Sequence, residues 1–360
     1  YDMITEDFDF FFKQHPRHII IDEAQVSSNL FKELRGVIDN NRQEKNRFIL
    51  TGSSFQDLLR EVSDSLAGRI AIVELGTLKA NEYFQTPFPS FYTIFDQKLS
   101  IDTMDFLEGV VSQHEFKQMM QFYLKGGYPE PVLSNQKAVH AIWMENYFKS
   151  YIQTDIKRLF PRLDSIKYRR FVSMLSTLSG TVINRSEIGR SINTSEVTIR
   201  DYLDIVHGSF IWRRIPIFDK SKRRSIVKMS KGIFRDSGLA HYLKQIYRVE
   251  ELNRHPYVGI DFEAFISEEI IKGVQSICNI GPDISYFRTK NGAEVDLILE
   301  GSFGLLPIEI KYGVRTTKNE LRSLHQFIDR HQLPFGIVVN TADIVRRISD
   351  HVIQIPWGAI

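Results

Sequence analysis

The feature that most constrains the fold is the stretch Arg17–Gln25, in which a short apolar run ends abruptly in two adjacent carboxylates, Asp22 and Glu23. A run of this length with β-branched residues predicts a strand buried on both faces, as in a parallel sheet. The two acids then emerge together at its carboxyl end, the edge at which open α/β sheets bind ligands. The run therefore predicts an α/β fold with its chemistry at this edge.

A second apolar run, Phe48–Leu50, predicts a neighbouring strand and is followed by Thr51, Gly52 and Ser53. Small hydroxyl residues at a strand end are suited to placing a polar group beside a γ-phosphate, and Ser53 is the candidate sensor. Helical spacing of apolar residues between the two runs predicts a parallel strand–helix–strand unit. The residues with this spacing are Leu30, Leu34, Val37 and Ile38.

In P-loop ATPases, one acid at such a strand end helps to hold Mg²⁺ beside the phosphates and its neighbour can polarise the attacking water. Asp22 and Glu23 are the candidates for these roles, with ATP as the nucleotide.

Arg69 ends the stretch Ser65–Arg69 before a third apolar run and is a candidate finger for a phosphate. It would act within its own subunit or on a neighbour in a homo-oligomer. An Asp-Glu pair alone is more often a strand end with a helix-capping acid, but the ordered set favours an ATPase core.

A phosphate-cradling loop of the form GxxxxGK[ST] occurs nowhere in the 360 residues. In a P-loop fold this loop follows an earlier strand. We therefore expect the first strand, its loop and the next helix to lie outside these residues, and this chain to lack the cradle that binds ATP well.

Composition limits the number of domains and the cellular compartment that the chain fits. The 360 residues, 42% of them hydrophobic, are enough for two or three domains with real cores, and the net charge is +2. The single cysteine, Cys278, excludes an intrachain disulfide and fits a reducing cytosol. No uninterrupted apolar segment is long enough to span a bilayer, which predicts a cytoplasmic protein without a membrane partner.

The middle of the chain is predicted to be helical up to about residue 165, with an interhelix turn at Lys125–Pro131. Two cap-then-acid patterns follow, beginning at Asn184 and Asn193, and predict two short helices joined by a tight turn. Two strands, Phe210–Pro216 and Ser225–Lys228, then surround a basic tip. This order predicts a winged helix-turn-helix.

Charge favours nucleic acid as the partner of this region, because nine Lys or Arg residues lie between Trp212 and Arg235. The basic wing could track phosphates while residues of the second helix approach a groove. The candidates are Lys220, Lys222, Arg223 and Arg224 on the wing, with Thr198 and Arg200 on the helix. Three carboxylates on that helix oppose DNA binding, namely Glu196, Asp201 and Asp204, and a protein-contact module is the alternative.

The carboxyl-terminal region contains an Asn-Gly hairpin, Tyr286–Leu299, and a third strand, Leu306–Lys311, with strict alternation. Glu309 and Lys311 therefore share one face of their strand, and Asp296 comes from the neighbouring strand. Two carboxylates for Mg²⁺ and an ammonium near the attacking water are what metal-assisted phosphodiester cleavage needs. The alternative is a hairpin without a catalytic site, whose charged side chains simply face solvent.

A further acid on the preceding helix would complete this arrangement. In the amphipathic run Phe262–Ile277, Glu263 lies at helical spacing from Ile266 and Ile270 and so leans toward the sheet, whereas Glu268 lies elsewhere. Glu263 is therefore the candidate third metal ligand.

These segments together resemble the prokaryotic AAA+-related P-loop ATPases that carry a carboxyl-terminal domain of unknown function. The resemblance also rests on the motif Lys231–Ala240 and covers nearly the whole chain. It implies a multidomain α/β protein: part of a P-loop ATPase core (1–80), a helical lid or connector (81–165), a winged helix (166–245) and a PD-(D/E)xK nuclease-like domain (246–360). By motif, Asp22 and Glu23 match the Walker B acids, Ser53 the sensor and Arg69 the arginine of the Leu-Ala-Gly-Arg signature. Asp296, Glu309 and Lys311 match the nuclease-like core.

The leading hypothesis is an ATPase coupled to a nucleic-acid-binding winged helix and a nuclease-like domain. The first alternative is a Mg²⁺-dependent nuclease that uses Asp296, Glu309 and Lys311. The second is a non-catalytic module that binds DNA or protein and keeps both folds without their chemistry.

Overall fold

The structure is a computed structural model that describes residues 7–15, 18–24, 27, 29–52, 66–134, 136–219, 230–277, 281–289, 292–317 and 319–360. Contacts divide the chain into two compact units. The first comprises residues 1–75 with 204–211, and the second comprises residues 76–203 with 212–360. Within the described ranges, no helix combines the length and the apolar character needed to cross a bilayer.

The first unit contains a parallel strand–helix–strand arrangement, as the spacing of its apolar residues predicted. Strand β1 pairs with β2 so that Ile19 lies opposite Phe48 and Ile21 opposite Leu50. Leu30, Phe31 and Leu34 of the intervening helix are fully buried in the core of this unit. The elements are α1 (Phe8–Gln14), β1 (Ile19–Ile21), α2 (Leu30–Asn40) and β2 (Phe48–Leu50).

The expectation that these strands are buried on both faces is wrong for the described residues. Ile20 and Ile49, which lie opposite each other in the register, are 68% and 58% exposed. Side chains alternate between the faces of a strand, and the described helices cover only the face that carries Ile21. The third apolar run forms no regular element, and its Val73 and Leu75 are largely exposed.

The second unit begins with helices, in agreement with the helical pattern predicted for its first part. A 3₁₀ turn, Ser90–Asp96, and a π-helical turn, Tyr151–Ile156, interrupt the series. The helices are α3 (Ala80–Phe84), α4 (Ile101–Glu108), α5 (Phe116–Lys125), α6 (Pro129–Leu133), α7 (Lys137–Ser150), α8 (Lys157–Leu159) and α9 (Ser165–Thr177).

The predicted Gly-Gly turn does connect two helices, α5 and α6, and it also packs against a distant carboxylate. The N–H of Gly127 donates to Asp236 Oδ2 at 2.8 Å, and the other oxygen of Asp236 accepts from the N–H of Leu239 at 2.9 Å. Gly126 has a φ of +74°, and a Cβ on it would overlap the Asp236 carboxylate. Both the conformation and the close approach therefore require glycine here.

A small antiparallel sheet follows, with the strand order β3, β5, β4. Two helices joined by a short turn appear at the predicted place, although Ser195, not Asn193, makes the capping bond of the second helix. Of the predicted wing strands, 225–228 lies outside the described residues, and β4 pairs with β5 instead. The elements are β3 (Thr181–Val182), α10 (Arg185–Ser191), α11 (Glu196–Gly208), β4 (Trp212–Ile215) and β5 (Lys231–Phe234).

The chain ends in a six-stranded mixed sheet with the order β10, β11, β9, β8, β7, β6. Strands β6 and β7 form the predicted hairpin, and β8 lies beside β7 as expected and runs antiparallel to it. Strand β9 returns parallel to β8 after a helix. The elements are α12 (Ser237–Leu243), α13 (Val249–Arg254), α14 (Val258–Ile277), β6 (Asp283–Arg288), β7 (Glu294–Gly301), β8 (Gly304–Lys311), α15 (Arg322–His331), β9 (Gly336–Asn340), β10 (Arg346–Ser349) and β11 (Val352–Pro356).

Helices cover both faces of this sheet. Ile266 and Ile270 of α14 share a core with Leu297, whereas Leu324 of α15 shares a second core with Ile298. Neighbouring residues of a strand point to opposite faces, so the two helices lie on opposite sides. The sheet is therefore the middle layer of an α/β/α arrangement.

Candidate functional sites

The first candidate site lies at the carboxyl edge of the β1/β2 sheet. The hydroxyl of Thr51, the residue after β2, donates to Asp22 Oδ1 and accepts from the backbone N–H of Glu23 at 3.3 Å. Thr51 also joins the strand ends through its backbone, because its N–H donates to the carbonyl of Ile21 at 3.0 Å. One threonine therefore fixes both acids relative to the second strand, a role that the sequence patterns had not assigned.

Glu23 adopts a left-handed backbone conformation, with a φ of +51°. This conformation is uncommon for a residue with a side chain and often occurs where a site constrains the chain. Asp22 is exposed and Glu23 is half-buried. Carboxylate oxygens at an accessible sheet edge have the chemistry that a hard cation such as Mg²⁺ requires.

Arg69 belongs to the same unit and forms a bidentate pair with Asp39 of α2. Its Nε and Nη2 atoms lie 2.8 Å from the two Asp39 carboxylate oxygens. These hydrogen bonds hold the pKa of Asp39 below its usual value. The structure thus places the side chain of Arg69 against the end of α2, while the predicted sensor, Ser53, lies outside the described residues.

The predicted nucleic-acid contacts are only partly described. Lys220, Lys222, Arg223 and Arg224 all lie outside the described residues. On α11, Arg200 is exposed and pairs with Asp201 at 3.2 Å, and the Thr198 hydroxyl lies 2.9 Å from that of Ser195. At the two positions where the sequence suggested groove contacts, the helix therefore carries an arginine paired with an aspartate and a hydroxyl paired with another hydroxyl.

Three of the nine basic residues counted in this region are buried in ion pairs, and none of the three is among the predicted nucleic-acid contacts. Arg213, Lys231 and Arg235 are only 8%, 3% and 9% exposed. Each is paired with carboxylates from the carboxyl-terminal region. The count of basic residues could not reveal these pairings, because the acidic partners are distant in the chain.

One of these pairings joins β4, the end of β5 and α14. Glu268 accepts from Arg213 Nε at 2.7 Å and Nη2 at 2.9 Å, and Arg235 Nε lies 3.3 Å away. Burial alone would raise the pKa of Glu268, but the charge and hydrogen bonds of Arg213, with Arg235, hold it below its usual value. Glu268 is thus the counterion of two buried guanidinium groups.

The second candidate site is a cluster of carboxylates and lysines beside the six-stranded sheet. Asp296 Oδ2 accepts from the backbone N–H of Ile310 at 2.8 Å and lies 3.8 Å from Lys311 Nζ. Glu309 Oε1 is 2.6 Å from the same ammonium. The structure therefore brings together Asp296, Glu309 and Lys311, in keeping with their predicted positions on adjacent strands.

Lys231 of β5 enters this cluster, which the sequence reasoning did not foresee. Its Nζ atom lies 3.4 Å from Glu263 Oε2, 3.5 Å from Glu294 Oε1 and 3.7 Å from Asp296 Oδ1. Glu263 of α14 thus reaches the cluster as helical spacing predicted. The only sequence signal for Lys231 is a lysine at the start of an otherwise apolar strand.

Burial and mutual repulsion change the acidity of the cluster. Burial, followed by the charge of Asp296, raises the pKa of Glu263 to about 8 and that of Glu309 to about 9. Among the described side chains, no group of three or more His, Cys, Asp or Glu residues is arranged to hold a metal ion. In this arrangement the cluster does not fit Mg²⁺, because two ammonium groups occupy its interior.

Family models match the chain in three successive segments. Residues 2–84 match an AAA domain, residues 116–250 match a domain of unknown function (DUF8612), and residues 258–360 match another (DUF4143). These matches support a relationship to AAA-type ATPases and an ATPase-like function, and AAA domains generally use ATP with Mg²⁺. No solved structure gives a significant match.

Two curated relatives are an uncharacterized protein of Mycobacterium tuberculosis and an uncharacterized protein of Mycobacterium bovis. Each is 28% identical over 347 residues, which cover 95% of this chain and 69% of the relative. The similarity therefore extends over all three matched segments, and neither relative's name states a function.

Proposed function

We propose that the protein is an AAA-type ATPase in which nucleotide hydrolysis controls a nucleic-acid-binding winged helix and a nuclease-like carboxyl-terminal domain. The observation that carries the ATPase part is the edge of the β1/β2 sheet. There, Thr51 binds Asp22 and the backbone of Glu23 within the segment that matches an AAA domain.

In this proposal, Asp22 helps to hold Mg²⁺ and Glu23 orients and polarises the attacking water. ATP would supply the phosphoryl group, and the Mg²⁺ bound with it would neutralise the negative charge of the phosphates. Ser53 serves as the sensor and Arg69 as the finger. Since Arg69 is paired with Asp39, its action on a phosphate requires that this pair open.

The winged-helix part is supported by the order of elements. A helix, a strand, two helices and two strands follow one another from α9 to β5, and β5 lies between β3 and β4 in the sheet. Wing residues Lys220, Lys222, Arg223 and Arg224 would contact phosphates, with Thr198 and Arg200 nearer the groove. If all four basic wing residues contact DNA, replacing them with alanine lowers the slope of log affinity against log salt by about one per contact.

The nuclease-like part is supported by α14, the antiparallel β6–β7–β8 meander, α15 and the parallel strand β9. The proposal assigns this fold to the domain without assigning cleavage, because Lys231 and Lys311 fill the carboxylate cluster. Cleavage that requires Mg²⁺ and is lost in both Asp296→Ala and Lys311→Ala would instead establish the nuclease alternative. Cleavage that survives both changes would indicate a contaminant.

The experiment that tests the ATPase assignment compares Glu23→Gln with wild type in the full-length protein. We expect the variant to bind a fluorescent ATP analogue and to lose hydrolysis, because the amide cannot polarise water as the carboxylate does. Glu33→Gln, at an exposed position of α2, is the matched control and should keep both properties. Undiminished turnover in Glu23→Gln would overturn the assignment, and the non-catalytic module would then be favoured.

A further inference from the structure

Lys231 is placed in the carboxylate cluster by the backbone of a different sheet. It is the first residue of β5 and pairs with Val182 of β3 on one side and Ile215 of β4 on the other. A residue held between two strands has little freedom to withdraw. Its side chain is 4% exposed, so its ammonium has exchanged water for protein carboxylates.

The segment after β4 fixes this small sheet against the edge of the six-stranded sheet. The N–H of Phe218 donates to the carbonyl of Tyr286 at 2.7 Å, and the N–H of Tyr286 donates to the carbonyl of Pro216 at 3.0 Å. Tyr286 belongs to β6, the edge strand that pairs with β7. The backbone bridge therefore fixes the small sheet to β6, which pairs with β7, the strand that carries Glu294 and Asp296.

The contacts of Lys231 are those of a cation in a multidentate site. Three carboxylates, from α14 and β7, lie between 3.4 and 3.7 Å from its Nζ atom. A Mg²⁺ or Ca²⁺ ion would need carboxylate oxygens at about 2.0–2.6 Å around the same point. The ammonium thus occupies the space where these oxygens could converge on a metal ion.

The cluster still retains ligand capacity for a cation. Glu309 is 5% exposed, yet its Oε2 atom has no hydrogen-bond partner, and a buried carboxylate oxygen is normally bonded. Four carboxylates, Glu263, Glu294, Asp296 and Glu309, face two lysines, and Arg288 reaches Glu294 only at the surface, at 3.7 Å. Positive charge is therefore in short supply inside the cluster.

We propose that Lys231 is an internal counter-cation that takes the place of a divalent metal ion in the carboxylate cluster. In the intact protein, the carboxylates of the cluster therefore bind Lys231 of the three-stranded sheet instead of a metal ion. Removing the ammonium exposes a divalent-cation site whose ligands are the three carboxylates it contacts, Glu263, Glu294 and Asp296, with the neighbouring Glu309 as a fourth. This inference goes beyond the proposed ATPase, because it concerns a site that acts without nucleotide.

The test measures Mn²⁺ binding to the full-length protein by electron paramagnetic resonance, without nucleotide. We expect Lys231→Met to bind Mn²⁺ at least roughly tenfold more tightly than wild type, since a tenfold change corresponds to about 1.4 kcal/mol. Lys231→Arg keeps the cation and should behave as wild type. Lys244→Met, which removes another buried lysine paired with Asp261, is the matched control and should not gain affinity.

Adding Asp296→Asn to Lys231→Met should return Mn²⁺ affinity to the wild-type value, which locates the ion in the cluster. Circular dichroism establishes that each variant is folded, and Lys231→Gln serves as a second variant if the methionine disrupts the fold. Equal affinity in wild type and Lys231→Met would overturn the proposal. A wild-type protein whose Mn²⁺ binding is abolished by Asp296→Asn would also overturn it, whatever the folding of the lysine variants.

Discussion

Glu268→Gln tests the buried charge pairing that joins β4, β5 and α14. The substitution keeps the shape of the side chain but removes the negative charge that faces Arg213 and Arg235. It leaves two guanidinium groups that are 8% and 9% exposed without their shared counterion. The amide oxygen can accept only one of the two hydrogen bonds that Arg213 now donates at 2.7 and 2.9 Å, because the amide nitrogen is a donor.

Removal of one partner from a buried ion pair typically costs about 3–5 kcal/mol, because the remaining charge stays buried. We expect Glu268→Gln to lower the free energy of unfolding by about this amount. The matched control is Glu196→Gln, which breaks a pair with Arg185 whose side chains are 50% and 47% exposed. Solvent screens such exposed pairs, so the control should cost less than about 1 kcal/mol.

Urea unfolding followed by tryptophan fluorescence gives the required measurement, because urea does not screen charges. All three tryptophans, Trp143, Trp212 and Trp357, belong to the second unit, which contains the ion pair. The midpoint should fall in Glu268→Gln without a change in the slope of free energy against urea. A loss no larger than that of Glu196→Gln would refute the reasoning.

The same pair predicts a dependence of stability on pH. The folded-state pKa of Glu268 is lowered, so its stabilisation is complete above the unfolded-state pKa of about 4.3. It is lost as the pH falls through the lower folded-state pKa. The difference in unfolding free energy between wild type and Glu268→Gln should therefore be largest near neutrality and shrink in acid. A difference that grows in acid would contradict this assignment.

Two further changes have defined outcomes. Gly238→Ala places a Cβ into the carbonyl of Lys125 and should destabilise the second unit by several kcal/mol in the same urea experiment, whereas Gly259→Ala, with open space around it, should be neutral or slightly stabilising. Equal changes of stability in the two variants would show that the close approach of Gly238 to the Lys125 carbonyl is unimportant for stability. Thr51→Val removes the hydroxyl that binds Asp22 and should lower ATP turnover of the full-length protein by roughly ten- to a hundredfold without unfolding it. Unchanged turnover would exclude this supporting role.

The local parts of the fold could be predicted from the sequence. Apolar spacing was sufficient for the α2 crossover between β1 and β2, and the turn after Thr289 was sufficient for the β6/β7 hairpin. Helical spacing also placed Glu263 beside the sheet. In each case, the residues that carry the signal are close in the sequence or lie along one helix. The prediction therefore needed no knowledge of contacts between distant parts of the chain.

The distant pairings could not be predicted. Glu268 lies 55 residues from Arg213, and Lys231 meets Glu263, which is 32 residues away. Neither spacing follows a helical or strand period, so the sequence patterns gave no sign of these ion pairs. The exposed face of β1 was also missed, because apolar composition alone does not show which face the neighbouring elements cover.

ATP turnover by the full-length protein, measured with and without DNA, is the decisive test of the proposed ATPase. We expect hydrolysis that responds to DNA and disappears in Glu23→Gln, since the acids at the β1 edge and the proposed winged helix would then belong to one cycle. Absence of turnover under both conditions would overturn the proposal. It would leave an AAA-like fold without hydrolysis and favour the non-catalytic module.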